Sequence, residues 1–319
     1  MDFLLYLALI PTLAVAAQWI AWRTKLPGIL LLLIIGVVVG AVIRPDDLLA
    51  ELVDGDRTTT GPRVLFPLVS MAVAVIMFEG GLSLKLGELR EAGSAALRLC
   101  TIGAAITAVG TTVAAHFCFG FDWRLSALLG AILVVTGPTV IGPRLQQVKP
   151  SRRVANTLKW EGIVIDPIGA VLAVLVFEVL LLHPGDVELG HALALLGWTT
   201  AVGTVVGVLG GFVLTMGFRR YLIPDHLHGV AALVVALLLF AISDHFAHES
   251  GLITVTVLGI WLTNQHGFDI EHIVEFQEHL RTLLIGCLFI VLGSRVDVAS
   301  IGQVGWSGLA FVLILILLI

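Results

Sequence analysis

The chain has 319 residues, of which 58% are hydrophobic and only 13% charged, with a mean hydropathy of +1.04. A soluble domain carries about 25% charge, so a water-soluble enzyme is excluded and an all-α membrane protein is expected. The net charge of -5 and the scattered 18 Lys and Arg leave no basic stripe, which excludes a nucleic-acid partner. Cys100, Cys118 and Cys287 each lie inside an apolar run and read as buried small hydrophobes, not as a disulfide or CxxC framework.

A bilayer core of about 30 Å takes about 20 apolar residues as a helix, because lipid satisfies no backbone hydrogen bonds. Eleven spans follow in chain order, near residues 2–22, 27–44, 64–83, 94–118, 124–143, 157–182, 189–218, 226–246, 251–264, 280–298 and 300–319. Thirteen of the 18 basic residues fall after odd-numbered spans, among them Arg23, Lys25, Arg152, Arg153 and Lys159. Lys and Arg are retained in cytoplasmic loops. The bias therefore predicts a multi-pass protein of the cell membrane with its N-terminus outside and the 144–159 loop cytoplasmic. The last five residues, Leu315 to Ile319, are wholly apolar, so further spans are expected beyond them.

Two echoes suggest an inverted repeat. Span two runs from Pro27-Gly28 to Gly36, and span nine from Ser250-Gly251 to Gly259, with the glycines equally spaced. Span three ends Gly81-Leu82-Ser83, and span ten ends Gly293-Ser294-Arg295. Both pairs are seven spans apart, and an odd separation puts the copies in opposite orientations. Repetition of spans one to six as eight to thirteen around span seven predicts a thirteen-helix fold of which eleven helices are present. Chance recurrence of glycines in apolar helices is the competing reading.

An ionisable side chain at membrane depth costs several kcal/mol, so each is a functional candidate. Asp166 lies nine residues into span six, about 13 Å from its cytoplasmic end. Glu161 is about 6 Å deep and about 140° round the helix from Asp166, so the two carboxylates are expected to face different neighbours. Pro167 removes a backbone donor and frees a carbonyl beside Asp166. Span five carries Thr136-Gly137-Pro138, whose Gly-Pro pair predicts an unwound helix at nearly the same level. Glu79, in Phe78-Glu79-Gly80-Gly81 of span three, falls in the same depth zone. For each carboxylate the competing reading is a structural ion pair.

Other polar clusters read as structural. Asp225-His226-Leu227-His228 and Asp244-His245 with His248-Glu249 have metal-like spacings, yet sit at opposite ends of span eight, about 30 Å apart. Arg295 and Asp297 are expected to pair at the outer end of span ten. The chain has no HExxH or GxSxG motif of an intramembrane protease.

With these residues in view, the chain resembles the membrane domain of the monovalent cation/proton antiporter superfamily, on the branch of sodium/proton and potassium/proton exchangers. The resemblance rests on Leu26-Pro27-Gly28, Phe78-Glu79-Gly80-Gly81-Leu82, Thr136-Gly137-Pro138, and Glu161 five residues before Asp166. It implies an inverted-repeat fold with two crossed, broken helices, assembled as a homodimer. Residues 1–90 and 222–298 would form the interface helices, 91–183 the transport core, 184–221 the linker helix, and 299–319 the start of the second core half. Asp166 takes the place of the ion-binding aspartate, Thr136 of a main-chain ligand in the broken helix, and Glu79 of an additional acidic ligand. Glu161 takes the place of a glutamate paired with an arginine on span eleven; no arginine lies between 300 and 319, so that partner would follow Ile319. Gly137, Pro138, Gly162, Ile165 and Pro167 support the site.

Three departures bear on selectivity. Ile165 precedes Asp166 where relatives carry Asn or Asp, Gly137 stands where the exchanger branch has Asp, and Gly162 follows Glu161 where it has Ser. Together they remove oxygen ligands and leave potassium as open as sodium. The expected activity is electroneutral exchange of one Na+ or K+ for one H+ by competition at Asp166 with alternating access, without a cofactor. A cation channel or a non-transporting membrane sensor is the alternative.

Overall fold

The computed structural model describes residues 3–43, 45, 57–88, 94–137, 148, 150–179, 189–265, 270–296 and 298–318. Within them the chain forms helices and no strand. These are α1 (Phe3–Thr24), α2 (Gly28–Val42), α3 (Arg57–Leu82), α4 (Ser94–Arg98 and Ala104–Phe119, joined by a π-helical turn at Leu99–Gly103), α5 (Trp123–Ile132), α6 (Arg152–Phe177), α7 (Leu189–Arg219), α8 (His228–Phe246), α9 (Ser250–Thr263), α10 (Glu271–Ser294) and α11 (Val298–Leu318). Each expected span has its helix. Seven are long and apolar enough to cross a bilayer, and four apolar helices are shorter.

The chain divides into two compact units, Met1–Ile76 with His272–Gln303, and Met77–Glu271 with Val304–Ile319. In the first, Tyr6, Ile10, Ala14 and Ala17 of α1 pack with Leu32 of α2 and Ile290 of α10. Small residues set the spacing. A Cβ on Gly286 would lie 2.6 Å from Ala14 Cβ, and one on Gly36 would lie 2.6 Å from the Ile290 carbonyl oxygen and 3.0 Å from Gly293 Cα. The Gln18 amide donates to the Thr282 carbonyl at 2.8 Å. Outward-facing Leu4, Trp19 and Val38 are exposed, as a lipid-facing surface requires.

The second unit is built round α9. Ten of its 14 residues are buried, which matches an apolar pattern on all sides. At 14 residues it is about 21 Å long, shorter than a bilayer core. Enclosure by protein removes the need to match lipid thickness. Its two ends are tied by hydrogen bonds. At one end Ser243, Ser250 and Thr254 share hydroxyl bonds of 2.7 Å; at the other the Asn264 amide donates to the Leu84 carbonyl at 3.0 Å and its oxygen accepts from Leu86 N at 2.8 Å. Gly203, Gly207 and Gly211 of α7 let α9 approach closely. Gly259 of α9 meets Phe78 and Leu82 of α3, and Gly81 meets Thr256 and Gly259 in return.

The two sequence echoes thus exchange partners. Gly36 of α2 packs on Gly293 of α10, and Gly259 of α9 packs on Gly81 of α3. The echoed ends also close alike: Leu84 N donates to Gly81 O at 3.0 Å, and Val296 N to Gly293 O at 3.1 Å.

Three local features differ from the sequence expectation, and a fourth expectation falls outside the described residues. The π-helical turn in α4 has no breaker residue to announce it except Gly103 at its end. α5 ends at Ile132, four residues before the break expected at Thr136-Gly137-Pro138. α11 breaks at Gly305, whose φ of 51° and ψ of -147° are non-helical. The Arg295 guanidinium stands 5.7 Å over the Phe66 ring, while Asp297, its expected partner, lies outside the described residues.

Candidate ion-binding site

The site is assembled where α5 stops against α6. Asp122 caps α5 by accepting from Arg124 N at 3.3 Å, and Gly130 lies against the Ala108 carbonyl and Thr112 of α4. The helix closes with Leu133 N on Leu129 O at 3.1 Å, and the chain is non-helical from Val135 to Gly137. Val134 is buried with Cys100 of α4 and Ile165 of α6. Val135 lies on Gly169, where a Cβ would strike its side chain. The unwound segment is therefore held on both flanks by apolar packing before it reaches Gly137, whose φ of 62° is left-handed.

Two hydrogen bonds connect this segment to α6. The Thr136 hydroxyl donates to Oε1 of Glu161 at 2.9 Å, and the Gly137 N–H donates to Oδ1 of Asp166 at 3.2 Å. Glu161 and Asp166, expected to face different neighbours, meet different residues that are adjacent in one non-helical segment. Five residues of α6 rise about 7.5 Å, more than one extended residue covers. The gap closes because Thr136 reaches with its side chain and Gly137 with its backbone.

On α6, Glu161, Gly162, Ile165 and Pro167 are buried and Asp166 is half-buried. Pro167 has no N–H, so the Ile163 carbonyl loses its helical partner next to Asp166. Lys159, the nearest base along α6, is taken by Glu88 at 3.2 Å. Among the described residues no Lys or Arg lies within ion-pair distance of Asp166. Glu79 is 5% exposed on the last turns of α3, and the adjoining Gly80 faces Ile163 of α6 at 3.5 Å. That end of α3 thus runs beside the Glu161–Asp166 stretch. Pro138 lies outside the described residues.

Three residues of this frame were not singled out from sequence. Cys100, in the π-helical turn, directs its thiol to the Glu161 carbonyl at 3.9 Å; Val134 and Gly169 anchor the broken segment. Only Gly169 carried a signal, as a small residue three positions after Asp166 on the same helix.

Chemically, the assembly offers hard oxygens to a small cation. They are the Asp166 carboxylate and the freed Ile163 carbonyl, while the Thr136 hydroxyl is turned to Glu161. The C-terminal end of α5 adds the negative end of a helix dipole. The Gly137 N–H occupies one oxygen of Asp166 and orients the carboxyl.

The family described as "Sodium/hydrogen exchanger, transmembrane" matches residues 9–319. The K(+)/H(+) antiporter NhaP2 of Shewanella sp. (strain MR-4) is 25% identical over 311 residues, covering 97% of this chain and 52% of its own length. The Na(+)/H(+) antiporter 1 of Methanocaldococcus jannaschii is 24% identical over 311 residues, covering 93% of this chain and 69% of its own. The chain thus spans about half the length of the NhaP2 relative. The structure of the sodium proton antiporter MjNhaP1 from M. jannaschii at pH 8 has the same fold, with a TM-score of 0.79 at 23% identity, over 98% of this chain and 75% of that one. By the family match over nearly its whole length, the chain belongs to the transmembrane sodium/hydrogen exchanger family.

Proposed function

We propose that this chain is the membrane-embedded exchange unit of a monovalent cation/proton antiporter, with Asp166 as the group that carries either ion. The observation behind this reading is a half-buried aspartate inside an apolar helix, faced by the left-handed Gly137 of a broken helix and free of any basic partner among the described residues. A bare carboxylate at this depth costs several kcal/mol, whereas its protonated and cation-paired forms are both neutral. Only neutral forms cross the barrier, so each crossing with a cation is balanced by one with a proton. One carboxylate exchanging one for one makes the cycle electroneutral.

Thr136 supplies a main-chain cation ligand, and Glu79 contributes a further acidic oxygen. Glu161, held by the Thr136 hydroxyl, positions the broken segment. The names of the NhaP2 and M. jannaschii relatives support both K+ and Na+ as candidates. In this reading α4–α6 and α11 move as the transport core against interface helices that pair two copies. The N-terminus is outside and the 144–159 loop is cytoplasmic. The exchange of partners between the two glycine echoes supports an inverted duplication, the architecture that alternating access uses.

The test is reconstitution into liposomes loaded with a pH-sensitive dye. Addition of K+ or Na+ should dissipate an imposed pH gradient without generating a membrane potential. Asp166→Asn should reduce exchange to the level of empty liposomes while the protein still reconstitutes as a folded species. Cation-driven proton movement surviving in Asp166→Asn, or cation flux indifferent to an opposing pH gradient, overturns the proposal.

A further inference from the structure

The end of α7 carries a second set of features that the α5–α6 site does not use. Two adjoining cavities open there. One, of about 400 Å³, is walled by Val213, Leu214, Gly217, Leu222, Ile223 and Val235. The other, of about 390 Å³, is lined by Phe212, Thr215, Arg219, Trp261 and Gln265. Met216 and Arg220 belong to both.

The second cavity is rich in hydrogen-bond donors. Threonines within the helices of this chain, among them Thr12, Thr101, Thr112, Thr200 and Thr256, turn their hydroxyls onto the carbonyl four residues back. Thr215 does not: it is 6% exposed and its Oγ1 has no partner. The Trp261 indole is laid flat on α7 at Gly211, one turn away, and its buried Nε1–H is also unpartnered. Arg219 is steadied by an Nη2 to Gln265 Oε1 bond of 3.2 Å. Two guanidinium groups therefore line one space together with the Thr215 and Trp261 side chains, and among the described residues no acidic residue lines either cavity.

The basic pair is placed by rigid backbone. Tyr221 adopts a left-handed φ of 53°, Leu222 N donates to Gly217 O and Tyr221 N to Phe218 O, each at 3.1 Å. This is the Schellman closure of a helix end, and it fixes Arg220 beside the cavities. Tyr221 and Leu222 then stand 81% and 73% exposed, an aromatic and an aliphatic residue at the boundary where a span meets headgroups.

We infer that this place is a binding site for one anionic phospholipid, with the phosphate held by Arg219 and Arg220 and an acyl chain lying in the apolar cavity. Charge complementarity selects the ligand. Guanidinium groups match phosphate oxygens, and among the described residues no lining carboxylate offers a choline ammonium a partner. The continuous apolar cavity selects a lipid over a free anion.

Native mass spectrometry of the detergent-purified full chain tests this with three probes: phosphatidylglycerol, phosphatidylcholine and inorganic phosphate. One phosphatidylglycerol per chain should be retained, in clear preference to the other two. Arg219→Gln with Arg220→Gln should weaken its retention by about thirtyfold, from about 1 kcal/mol per basic residue at an anionic surface. Arg219→Lys with Arg220→Lys should keep most of it. Ile223→Trp, which fills the apolar cavity with both arginines intact, should also expel the lipid. Equal retention of phosphatidylcholine, equal binding of phosphate alone, or undiminished phosphatidylglycerol in the double Gln or the Ile223→Trp chain overturns the assignment.

Discussion

Gly137 meets Asp166 through its backbone: an N–H held at φ 62° donates to Oδ1 across 3.2 Å. The bond uses no side chain from the broken helix, so the Asp expected at position 137 from related chains is not needed to orient the carboxyl. What it needs is a residue that tolerates left-handed backbone. The site's geometry therefore rests on a glycine more than on any additional acid.

Gly137→Ala tests this directly. A left-handed β-carbon costs about 1–2 kcal/mol, and relieving it turns the N–H away from Asp166. Apparent cation affinity in proteoliposomes should fall by about tenfold, with a smaller loss for Gly137→Asn, since Asn accepts left-handed backbone at lower cost. Equal exchange in all three chains would show that the segment does not position Asp166.

Thr136→Val keeps the shape of the side chain and removes the donor to the buried Glu161. Leaving a buried carboxyl short of its partner costs about 1–3 kcal/mol. The thermal midpoint should drop by several degrees and exchange should slow, whereas Thr136→Ser, which retains the hydroxyl, should remain near the parent in both measurements.

Gly259→Ala probes the close contact of α9 with α3. The added methyl would sit 2.7 Å from Leu82 N and nearer still to the Phe78 carbonyl, both backbone atoms that cannot swing aside. Overpacking of this kind costs about 1–3 kcal/mol, so the unfolding midpoint should fall. Gly197→Ala on α7 is the control, because nothing lies within 4 Å of its added Cβ. It should be neutral or slightly stabilising, as Ala is the better helix former by about 1 kcal/mol.

Glu249 gives a pH signature outside the spans. In the turn between α8 and α9, burial first, and then the Asp244 carboxylate, push its carboxyl above its ordinary value of about 4.5, with His248 acting the other way. The folded chain thus binds this proton more tightly than the unfolded chain. Its contribution is greatest below the ordinary value and is lost as pH rises through the raised one. Glu249→Gln should therefore unfold at a higher temperature than the parent at pH 7 to 8, and the advantage should vanish toward pH 4. An advantage that grows on acidification would reverse the sign and refute the account.

Much of the architecture was legible without coordinates. Hydropathy reported the helices because burial of backbone polar groups in lipid leaves no alternative to them, and a lone Asp166 in an apolar run stood out by its solvation cost. That the helix would not run through Thr136-Gly137 was legible because glycine beside proline cannot sustain a helix, although α5 already closes at Ile132. The length of α9 was legible as well, at 251–264 against the observed Ser250–Thr263; its enclosure on all sides, which only neighbours confer and which releases it from spanning the bilayer, was not. Nor were the π-helical turn that carries Cys100 to Glu161 and the break at Gly305, whose local residues permit a helix equally well.

By itself, then, the sequence determined which segments enter the membrane, which carboxylates go with them and where one helix must stop, because each follows from local transfer energies and backbone allowances. Which groups meet was decided by the tertiary structure. Thr136 on Glu161, Gly137 on Asp166 and Gly81 on Gly259 join residues distant in the chain, and their approach depends on side-chain reach and on the close packing of glycine faces. No local periodicity encodes those distances; they arise only when helices are pressed together until backbone touches backbone.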